Sequence, residues 1–570
     1  MAKITRREWM ERVGVAGVGL ALGSACRSDN GGGTTDVTDT RDVVGDTTSA
    51  TEATAETGAT ETSATETAEV TPPAPQYNVL LLVVDQERFP RATPSDLILP
   101  AHARLLQRGT SFRRHYANAM PCTPSRSNLY TGLQVTKTGM FSNIGFGGQG
   151  SMATTFPTMG TLFKSLGYAT AYYGKWHLSE VDAGDSCSID TTAALQPYGF
   201  DTYNHCGDYP GTVHSGYKDD PTAAADAVAW LAARAASADA APWLMTLNLV
   251  NPHDIMFFYN QPLLHSSFGF GPPLDPLYTK QWNVTLPPSY AEDLATKPSA
   301  QRAYQKLYDT AQSYPDTDEG RQQMLAFINY YYNCQRDADR HLGTVLDALE
   351  GSRFAENTII VFTSDHGEMG QFHGLRGKGA MVYDENNRVP LVIVHPDYPG
   401  GRTVDGLTAH VDLTPSLLAL CGKPYDEVQA ASPGLAGKDV TALLAAPDAA
   451  SPRAEVLFTF DFGGTVDFTG QKGGERPDAT SNSARPFLRG IFDGRYKFAR
   501  YFASDHYHSP TTFEELVANN DLELYDLETD PDENTNLAAD LVASRALIDD
   551  LFPRLEALIA AEIGTDGKPT

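Results

Sequence analysis

A thiol, a proline and a guanidinium lie within five residues of one another in the run CTPSR, as Cys122, Pro124 and Arg126. Proline suits the first turn of a helix, because the N–H that it lacks would have no partner there. Cys122 would then lie at a positively polarised helix N-terminus, which favours a reactive thiol over an inert one. An isolated Cys-x-Pro is more often a structural cysteine in a loop, so the rest of the chain has to decide between the two interpretations.

Four polar residues follow two apolar runs elsewhere in the chain. Asp85 and Gln86 come after the run YNVLLLVV, and Asp365 and His366 come after the run NTIIVFT. Ligands of open α/β sheets gather at the carboxyl ends of the strands. A single Asp in such a place is usually a turn or capping residue, but two such pairs predict four donors that point at one place.

Four basic or imidazole side chains occupy similar positions. Lys175 and His177 follow the run ATAYY, His253 follows the run WLMTLNLV, and Lys378 comes twelve residues after His366. Taken singly, a lysine is most often a solvated surface charge and a histidine a structural residue. Together they predict a cationic pocket beside Asp85 and Asp365.

The elements that must position these residues alternate between strand and helix. Continuous apolar runs predict buried strands at 77–84, 169–173, 243–250 and 357–363, and helices are predicted at 156–166, 221–235 and 321–349. This alternation predicts an α/β fold with a large, mostly parallel sheet between helices. After about residue 454 the pattern changes to short strands, 489–492 and 496–501, and a final helix, 544–562. We therefore predict a catalytic domain at 76–453 and a smaller α+β subdomain at 454–570.

The net charge of −28 argues against nucleic acid as a partner. An anionic substrate would need a locally basic pocket, such as the one predicted above. Cys187 and Cys206 lie in one loop-rich stretch and could pair in an oxidising compartment, whereas Cys334 and Cys421 lie in helix-like apolar stretches and are expected to be buried thiols. No cysteine spacing indicates a zinc site.

The N-terminal residues are predicted to be an export signal followed by a tether, and not part of the folded domain. Arg6 and Arg7 precede a short Gly/Ala-rich apolar run, and small residues then precede Cys26. This is typical of a Tat-type lipoprotein signal peptide at 1–26, although Gly23 is unusual for such a site and ordinary cleavage stays open. Residues 27–75 are rich in Thr, Glu and Ala and predict a disordered acidic tether. The expectation is an exported bacterial protein, periplasmic or at the cell surface, which touches the membrane only through a lipid at Cys26.

Several segments together resemble the formylglycine-dependent sulfatases of the alkaline phosphatase superfamily. The run CTPSR, followed by LYTG at 129–132, resembles their activation signature, and GYATAYYGKWH at 167–177 resembles their second signature. Asp85-Gln86 and DHGE at 365–368 resemble their metal-binding segments, and LYDL at 524–527 resembles a common C-terminal segment.

The resemblance implies that a formylglycine-generating enzyme oxidises Cys122 to an aldehyde, whose hydrate is the nucleophile. It implies one divalent cation, most often Ca²⁺, whereas the imidazole of His366 suits Mn²⁺ better. The implied metal ligands are Asp85, Gln86, residue 122, Asp365 and His366.

The remaining implied roles concern proton transfer and the binding of sulfate. Lys175 and Lys378 would hold the sulfate oxygens, and His253 would protonate the departing alcohol. His177 would help to remove a proton from residue 122 when sulfate is released, and Arg126 would orient residue 122. Asp365 would accept the proton of the attacking hydroxyl, and His373 matches a family position without an assigned role.

Three functions follow from this resemblance. The first is hydrolysis of sulfate esters, with a sulfated carbohydrate or a small alcohol sulfate as substrate. The second is hydrolysis of phosphonate monoesters or phosphodiesters. Many sulfatases have Asp where this chain has Gln86, whereas the combination of Gln86 and His366 resembles family relatives that cleave phosphonate monoesters and phosphodiesters. The third is a non-catalytic binding lipoprotein, which the complete set of site residues opposes. The aromatic-rich segments 186–217 and 257–282 are candidate substrate loops, with His205, Asp208, Tyr209 and His214 as possible contacts.

Overall fold

A computed structural model of the chain describes residues 77–91, 93–146, 148–181, 187–208, 212–259, 269–461, 485–503, 506 and 509–566. The predicted signal peptide at 1–26 and tether at 27–75 lie outside these residues, as does Tyr209. Within the described ranges, no helix combines the length and the apolar character needed to cross a membrane.

The main sheet has eight strands in the order β5-β4-β6-β1-β7-β8-β2-β9. All neighbours in it run parallel except β8, which is antiparallel to β7 and to β2. The predicted mostly parallel sheet is thus confirmed. Its strands are β1 (Asn78–Asp85), β2 (Thr110–Phe112), β4 (Ala169–Gly174), β5 (Thr202–Asn204), β6 (Trp243–Pro252), β7 (Thr358–Ser364), β8 (Leu391–Val394) and β9 (Arg402–Val404).

Two smaller sheets complete the strands. β3 (His115–Tyr116) pairs with β10 (Thr408–Ala409). A four-stranded antiparallel sheet near the C-terminus has the order β11-β12-β13-β14, with the bounds Val456–Phe460, Phe487–Phe492, Tyr496–Phe502 and Asn520–Asp526. The predicted antiparallel C-terminal sheet is confirmed, while its status as a separate domain stays a prediction.

Helices cover the sheets, and apolar side chains of the main sheet are buried on both of its faces. The helices are Pro100–Arg108, Cys122–Thr131, Val135–Thr138, Met159–Ser165, Thr192–Leu195, Ser215–Ala236, Ser299–Ala311, Asp318–Glu350, Asp384–Asn387, Leu413–Leu420, Tyr425–Ala431, Ala442–Ala445, Phe513–Asn519 and Arg545–Glu562.

The helix predicted at 221–235 begins earlier than expected, for a tertiary reason. The sequence places a helix start at Pro221, but the helix begins at Ser215. The carboxylate of Asp254, far along the chain, accepts the N–H groups of Gly216 and Tyr217 at 3.1 Å and 3.0 Å. This carboxylate therefore caps the helix from outside, and no local pattern reveals it.

The strand register brings the ends of four adjacent strands together. Val84 of β1 lies opposite Leu249 of β6 and Ser364 of β7, and Gly174 of β4 lies opposite Asn248. Gly174 has φ 89°, and a Cβ there would lie 2.0 Å from the Asn248 carbonyl oxygen. Only glycine fits this close approach of β4 to β6. Because β4, β6, β1 and β7 are parallel neighbours, the chain leaves β4 at the same edge as β1 and β7.

Candidate active site

Four neighbouring strands deliver the central residues of the site. Lys175 follows β4, His253 follows β6, Asp85 ends β1 and Asp365 follows β7. These strands are adjacent in the order β4-β6-β1-β7 and parallel, so their carboxyl ends meet at one edge. The structure thus brings together residues that lie up to 280 positions apart in the chain.

A buried cluster of possible metal ligands forms at this edge. Asp85, Cys122, Asp365 and His366 each offer one ligand atom, and these atoms all lie within 4.8 Å of one another. His366 Nδ1 lies 3.0 Å from the Gly367 carbonyl oxygen, which makes Nδ1 the protonated nitrogen and leaves the Nε2 lone pair facing the cluster. Two carboxylates and an imidazole lone pair fit a divalent cation.

Arg126 joins the two carboxylates of this cluster. Its fully buried guanidinium places Nε 2.9 Å from Asp365 Oδ2 and Nη2 3.3 Å from Asp85 Oδ2. Nη1 donates to the Lys175 carbonyl oxygen at 2.6 Å and to Asn248 Oδ1 at 3.1 Å. Burial works to lower the pKa of Arg126, but Asp365 and Asp85 hold it well above its ordinary value. A permanent cation therefore fixes both carboxylates.

Cys122 begins the helix Cys122–Thr131, all ten residues of which are buried. Its Sγ lies 3.0 Å from His366 Nε2, 3.7 Å from Lys175 Nζ and 3.8 Å from Asp85 Oδ1. Burial and Asp85 work to raise the pKa of the thiol, but the ammonium groups of Lys175 and Lys378 lower it, so the pKa is below its ordinary value. The thiol thus lies among the charged groups of the site, which lower its pKa.

Lys175 lies between Cys122 and Asp85, with its Nζ 3.7 Å from Cys122 Sγ. Its Nζ lies 2.5 Å from Asp85 Oδ2. Burial works to lower the pKa of this lysine, but Asp85 raises it above its ordinary value. Burial likewise works to raise the pKa of Asp85, but the Lys175 ammonium holds it well below its usual range. Both groups are therefore charged.

Lys378 reaches the site through Gln86. The Lys378 ammonium donates to Gln86 Oε1, and Gln86 Nε2 donates to Glu368 Oε2. Glu368 Oε1 in turn accepts the N–H groups of Gly370 and Gly377, at 2.9 Å and 2.7 Å. This carboxylate ties together both ends of the segment 370–377, which leads directly into Lys378. A role for Gln86 as a metal ligand stays a prediction.

Two imidazoles flank the cationic side of the site. Burial, Lys378 and Lys175 lower the pKa of His253 well below its ordinary value. Burial, Lys175 and Arg126 likewise lower the pKa of His177 well below its ordinary value. Both rings are therefore neutral in the free site at neutral pH. His253 is partly exposed, whereas His177 is buried.

Four residues that sequence reasoning missed hold this arrangement. The Ser125 hydroxyl donates to the Asp365 carbonyl oxygen, and His410 Nε2 lies 2.9 Å from the same oxygen. Asn248 Oδ1 accepts from Arg126 and from the Tyr130 hydroxyl, and Glu368 acts as described above. Ser125 and Glu368 belong to the quoted motifs CTPSR and DHGE. Asn248 and His410 had no local signal beyond a polar residue within a buried segment.

Of the other candidate residues, Asp208 contacts a residue of the site, and the histidines contact other parts of the fold. Asp208 Oδ1 accepts the N–H of His177 at 2.7 Å. His205 contacts Thr191, and His214 Nε2 lies 2.5 Å from the Gly271 carbonyl oxygen. His373 Nδ1 lies 2.6 Å from Glu292 Oε2, and its ring stacks on Tyr383.

Cys187 and Cys206 form a disulfide, and Cys334 and Cys421 are buried free thiols.

Comparison with known proteins identifies relatives across this region. A family model described as Sulfatase matches residues 77–423. The chain is 30% identical to the uncharacterized sulfatase YidJ of Escherichia coli over 345 residues, which is 57% of this chain and 63% of that protein. It is 26% identical to the ulvan-active sulfatase of Formosa agariphila, over 67% of each chain. The alignments thus span about two thirds of the length of these relatives.

The fold has close counterparts among solved structures. The phosphonate monoester hydrolase of Silicibacter pomeroyi superimposes with a TM-score of 0.63 at 19% sequence identity, over 86% of this chain and 96% of that one. At this identity the likeness shows a shared fold.

Proposed function

Because this chain belongs to the sulfatase family, a family of sulfuric ester hydrolases, we propose that it hydrolyses sulfate esters to an alcohol and inorganic sulfate. The observation that carries the proposal is the setting of Cys122. Its Sγ lies within 4 Å of an imidazole, an ammonium group and a carboxylate, at the point where four strands end. A structural cysteine does not need such surroundings.

We further propose that Cys122 is oxidised to formylglycine and that one divalent cation binds beside it. The ligands would be Asp85, Gln86, residue 122, Asp365 and His366. Oxygen in place of sulfur at position 122 improves the fit to Ca²⁺, which prefers oxygen donors. When present, the aldehyde hydrate supplies the nucleophilic oxygen, and the cation supplies positive charge near the ester oxygens.

The residues of the chain would divide the remaining work. Lys175 and Lys378 are the two ammonium groups near position 122, and they would bind the anionic ester oxygens. Arg126 holds Asp85 and Asp365 in place through its fixed hydrogen bonds. Asp365 would accept a proton from the attacking hydroxyl.

His253 would deliver a proton to the departing alcohol. In the free site Lys378 and Lys175 hold its pKa low. A bound sulfate ester offsets these two positive charges, which raises the pKa of the imidazole and lets it carry a proton. Substrate binding would thus activate the general acid.

The proposed substrates are sulfated carbohydrates or small sulfate esters. The relative from Formosa agariphila is described as ulvan-active, which supports a carbohydrate. Export to the periplasm or cell surface, with a lipid anchor at Cys26, is likewise proposed. The Cys187–Cys206 disulfide supports export, because disulfides persist in oxidising compartments.

The second candidate function is hydrolysis of phosphonate monoesters or phosphodiesters. Gln86 and His366 favour it, because the combination of Gln and His also occurs in family relatives that cleave phosphonate monoesters and phosphodiesters. The shared fold of the phosphonate monoester hydrolase of Silicibacter pomeroyi is consistent with this alternative.

The test compares kcat/KM for an aryl sulfate with kcat/KM for an aryl phosphonate monoester. The enzyme carries the aldehyde, verified by mass spectrometry of the peptide that contains residue 122, and Cys122→Ala serves as the blank. A ratio well above one supports the sulfatase, and a ratio well below one supports the alternative. No turnover of either ester above the blank would contradict both and favour a binding protein.

A further inference from the structure

We propose that Asp208 is a positioning residue that orients His177 through its backbone, and that the Cys187–Cys206 disulfide braces the loop from which Asp208 acts. The proposal rests on the sulfatase function, because it concerns the imidazole assigned to proton transfer at position 122. It adds a residue and a covalent link to that function.

In the described part of the chain, no side chain forms a hydrogen bond with the His177 ring. Both ring nitrogens are buried and have no hydrogen-bond partner among the residues that the structure describes. The backbone of His177 adopts the left-handed conformation, with φ 57°, which an L-residue seldom holds without external support. The direction of the ring is therefore set by whatever fixes this backbone.

Two side chains hold the backbone of His177 from opposite sides. The Thr123 hydroxyl donates to the His177 carbonyl oxygen at 2.6 Å, and Asp208 Oδ1 accepts the His177 N–H at 2.7 Å. Thr123 is the neighbour of Cys122 on the nucleophile helix. The unusual backbone conformation is thus fixed to the nucleophile on one side and to Asp208 on the other.

Asp208 is itself held in place. The Tyr203 hydroxyl donates to Asp208 Oδ2 at 2.9 Å, which leaves Oδ1 free to face the His177 N–H. Burial raises the pKa of Asp208 to about 7, although Tyr203, Arg126 and Lys175 work to lower it. Oδ1 accepts in either protonation state, so the contact depends on an oxygen at this position more than on its charge.

The loop that carries Asp208 has little sheet pairing to fix it. It leaves the edge strand β5, which is only three residues long, and reaches Cys206 two residues before Asp208. Cys206 is bonded to Cys187, which lies 19 positions earlier in the chain, and their two Cα atoms are 5.0 Å apart. The Cys206 N–H also donates to Asn204 Oδ1 at 2.9 Å. The disulfide is therefore the covalent tie that fixes this loop.

The first experiment compares Asp208→Ala with Asp208→Asn in aldehyde-bearing, metal-loaded enzyme. Loss of the acceptor in Asp208→Ala is expected to lower kcat about 100-fold, as for a misplaced catalytic group, with little change in KM. The amide oxygen of Asp208→Asn can still accept the His177 N–H, so this variant should keep most of kcat. The control is Asp190→Ala, an exposed residue between the two cysteines that accepts the Thr192 N–H in its own turn; its kcat should not change.

Hydrogen exchange of the peptide that contains His177 gives a readout without substrate. The His177 N–H should exchange faster in Asp208→Ala than in the wild type, in Asp208→Asn or in Asp190→Ala. The double variant Cys187→Ser with Cys206→Ser should show the same two changes, faster exchange and lower kcat, to a smaller degree.

Wild-type kcat in Asp208→Ala, or equal exchange at His177 in all variants, would overturn the role of Asp208. An unchanged double cysteine variant would overturn the brace. If the wild type hydrolysed no sulfate ester, the proposed function would fail, but the exchange measurement would still decide whether Asp208 holds His177.

Discussion

The side-chain amide of Gln86 is fixed by Glu368. Gln86 Nε2 donates to Glu368 Oε2, and Gln86 Oε1 accepts from the Lys378 ammonium. An N–H must face the carboxylate and a carbonyl must face the ammonium, so both neighbours require the same orientation of the amide. Glu368 thereby determines which atom Gln86 presents to the active site.

We expect Gln86→Glu to destabilise the protein because it places two buried carboxylates face to face. The loss of a buried hydrogen bond and the repulsion should cost about 1–3 kcal/mol in the free energy of unfolding. The double variant Gln86→Glu with Glu368→Gln restores one amide and one carboxylate, so it should recover part of that loss in urea denaturation. A double variant as unstable as the sum of both single variants would contradict the pairing.

Replacing Arg126 should destabilise the fold as well as the site. Arg126→Met leaves the buried carboxylates of Asp85 and Asp365 without their shared cation, and we expect a loss of about 3–5 kcal/mol in the free energy of unfolding. The matched control is Arg113→Met, which removes a half-exposed arginine paired with Asp405 and should cost about 0–1 kcal/mol. Similar losses for the two variants, in denaturant titrations of unmodified protein, would contradict this account of Arg126.

Anion binding should raise the pKa of His253. In the free site burial, Lys378 and Lys175 hold this pKa well below its ordinary value. Inorganic sulfate placed between the two ammonium groups offsets their charge, so the imidazole should titrate at higher pH in its presence. The titration is followed by NMR of histidine-labelled protein, with His253→Gln to assign the signal. A pKa that stays low at saturating sulfate would contradict His253 as the general acid.

Stability should fall as the pH drops below about 6.5, in part because of His115. Burial and the neighbouring His410 hold the pKa of His115 well below its ordinary value, and the pKa of His410 is about 4. Below pH 6.5 the unfolded chain therefore binds protons that the folded protein does not, so the free energy of unfolding declines with falling pH.

His115→Gln tests this dependence. The variant keeps a side-chain donor toward His410 but cannot titrate, so its free energy of unfolding should depend less steeply on pH below 6.5. Urea denaturation at several pH values gives the slope for each protein. Equal slopes would show that the titration of His115 is not the cause.

Removal of divalent cations should abolish turnover without unfolding the protein. Arg126 and Lys175 already neutralise the two central carboxylates, so the fold does not depend on the cation alone. Treatment with a chelator should lower Tm and stop hydrolysis, and Ca²⁺ or Mn²⁺ should restore both. Full activity after complete removal of metal, verified by elemental analysis, would contradict the metal site.

Local patterns were enough to predict the main strands and the residues at their ends. The apolar run before Asp85 could only be a strand buried on both faces, and the same holds for the run before Asp365. Because polar residues after such strands point to the carboxyl edge of the sheet, we expected Asp85 and Asp365 to meet there, and the structure places them together. The C-terminal antiparallel sheet followed in the same way from its short alternating strands.

The contacts that connect distant segments could not be predicted. Asp254 caps a helix that begins 39 residues earlier in the chain, at Ser215, and His410 reaches the carbonyl of Asp365 from another part of the fold. Asp208 supports His177 from a loop that local sequence only marks as polar.

The sequence by itself was enough to predict which side chains would meet at one edge of the sheet and which strands deliver them, because hydrophobic periodicity and motif spacing are local properties. The tertiary structure decided how those side chains are held, which includes the orientation of Gln86, the bridging by Arg126 and the support of His177. These depend on hydrogen-bond geometry between segments far apart in the chain, and that geometry exists only after the sheet has formed.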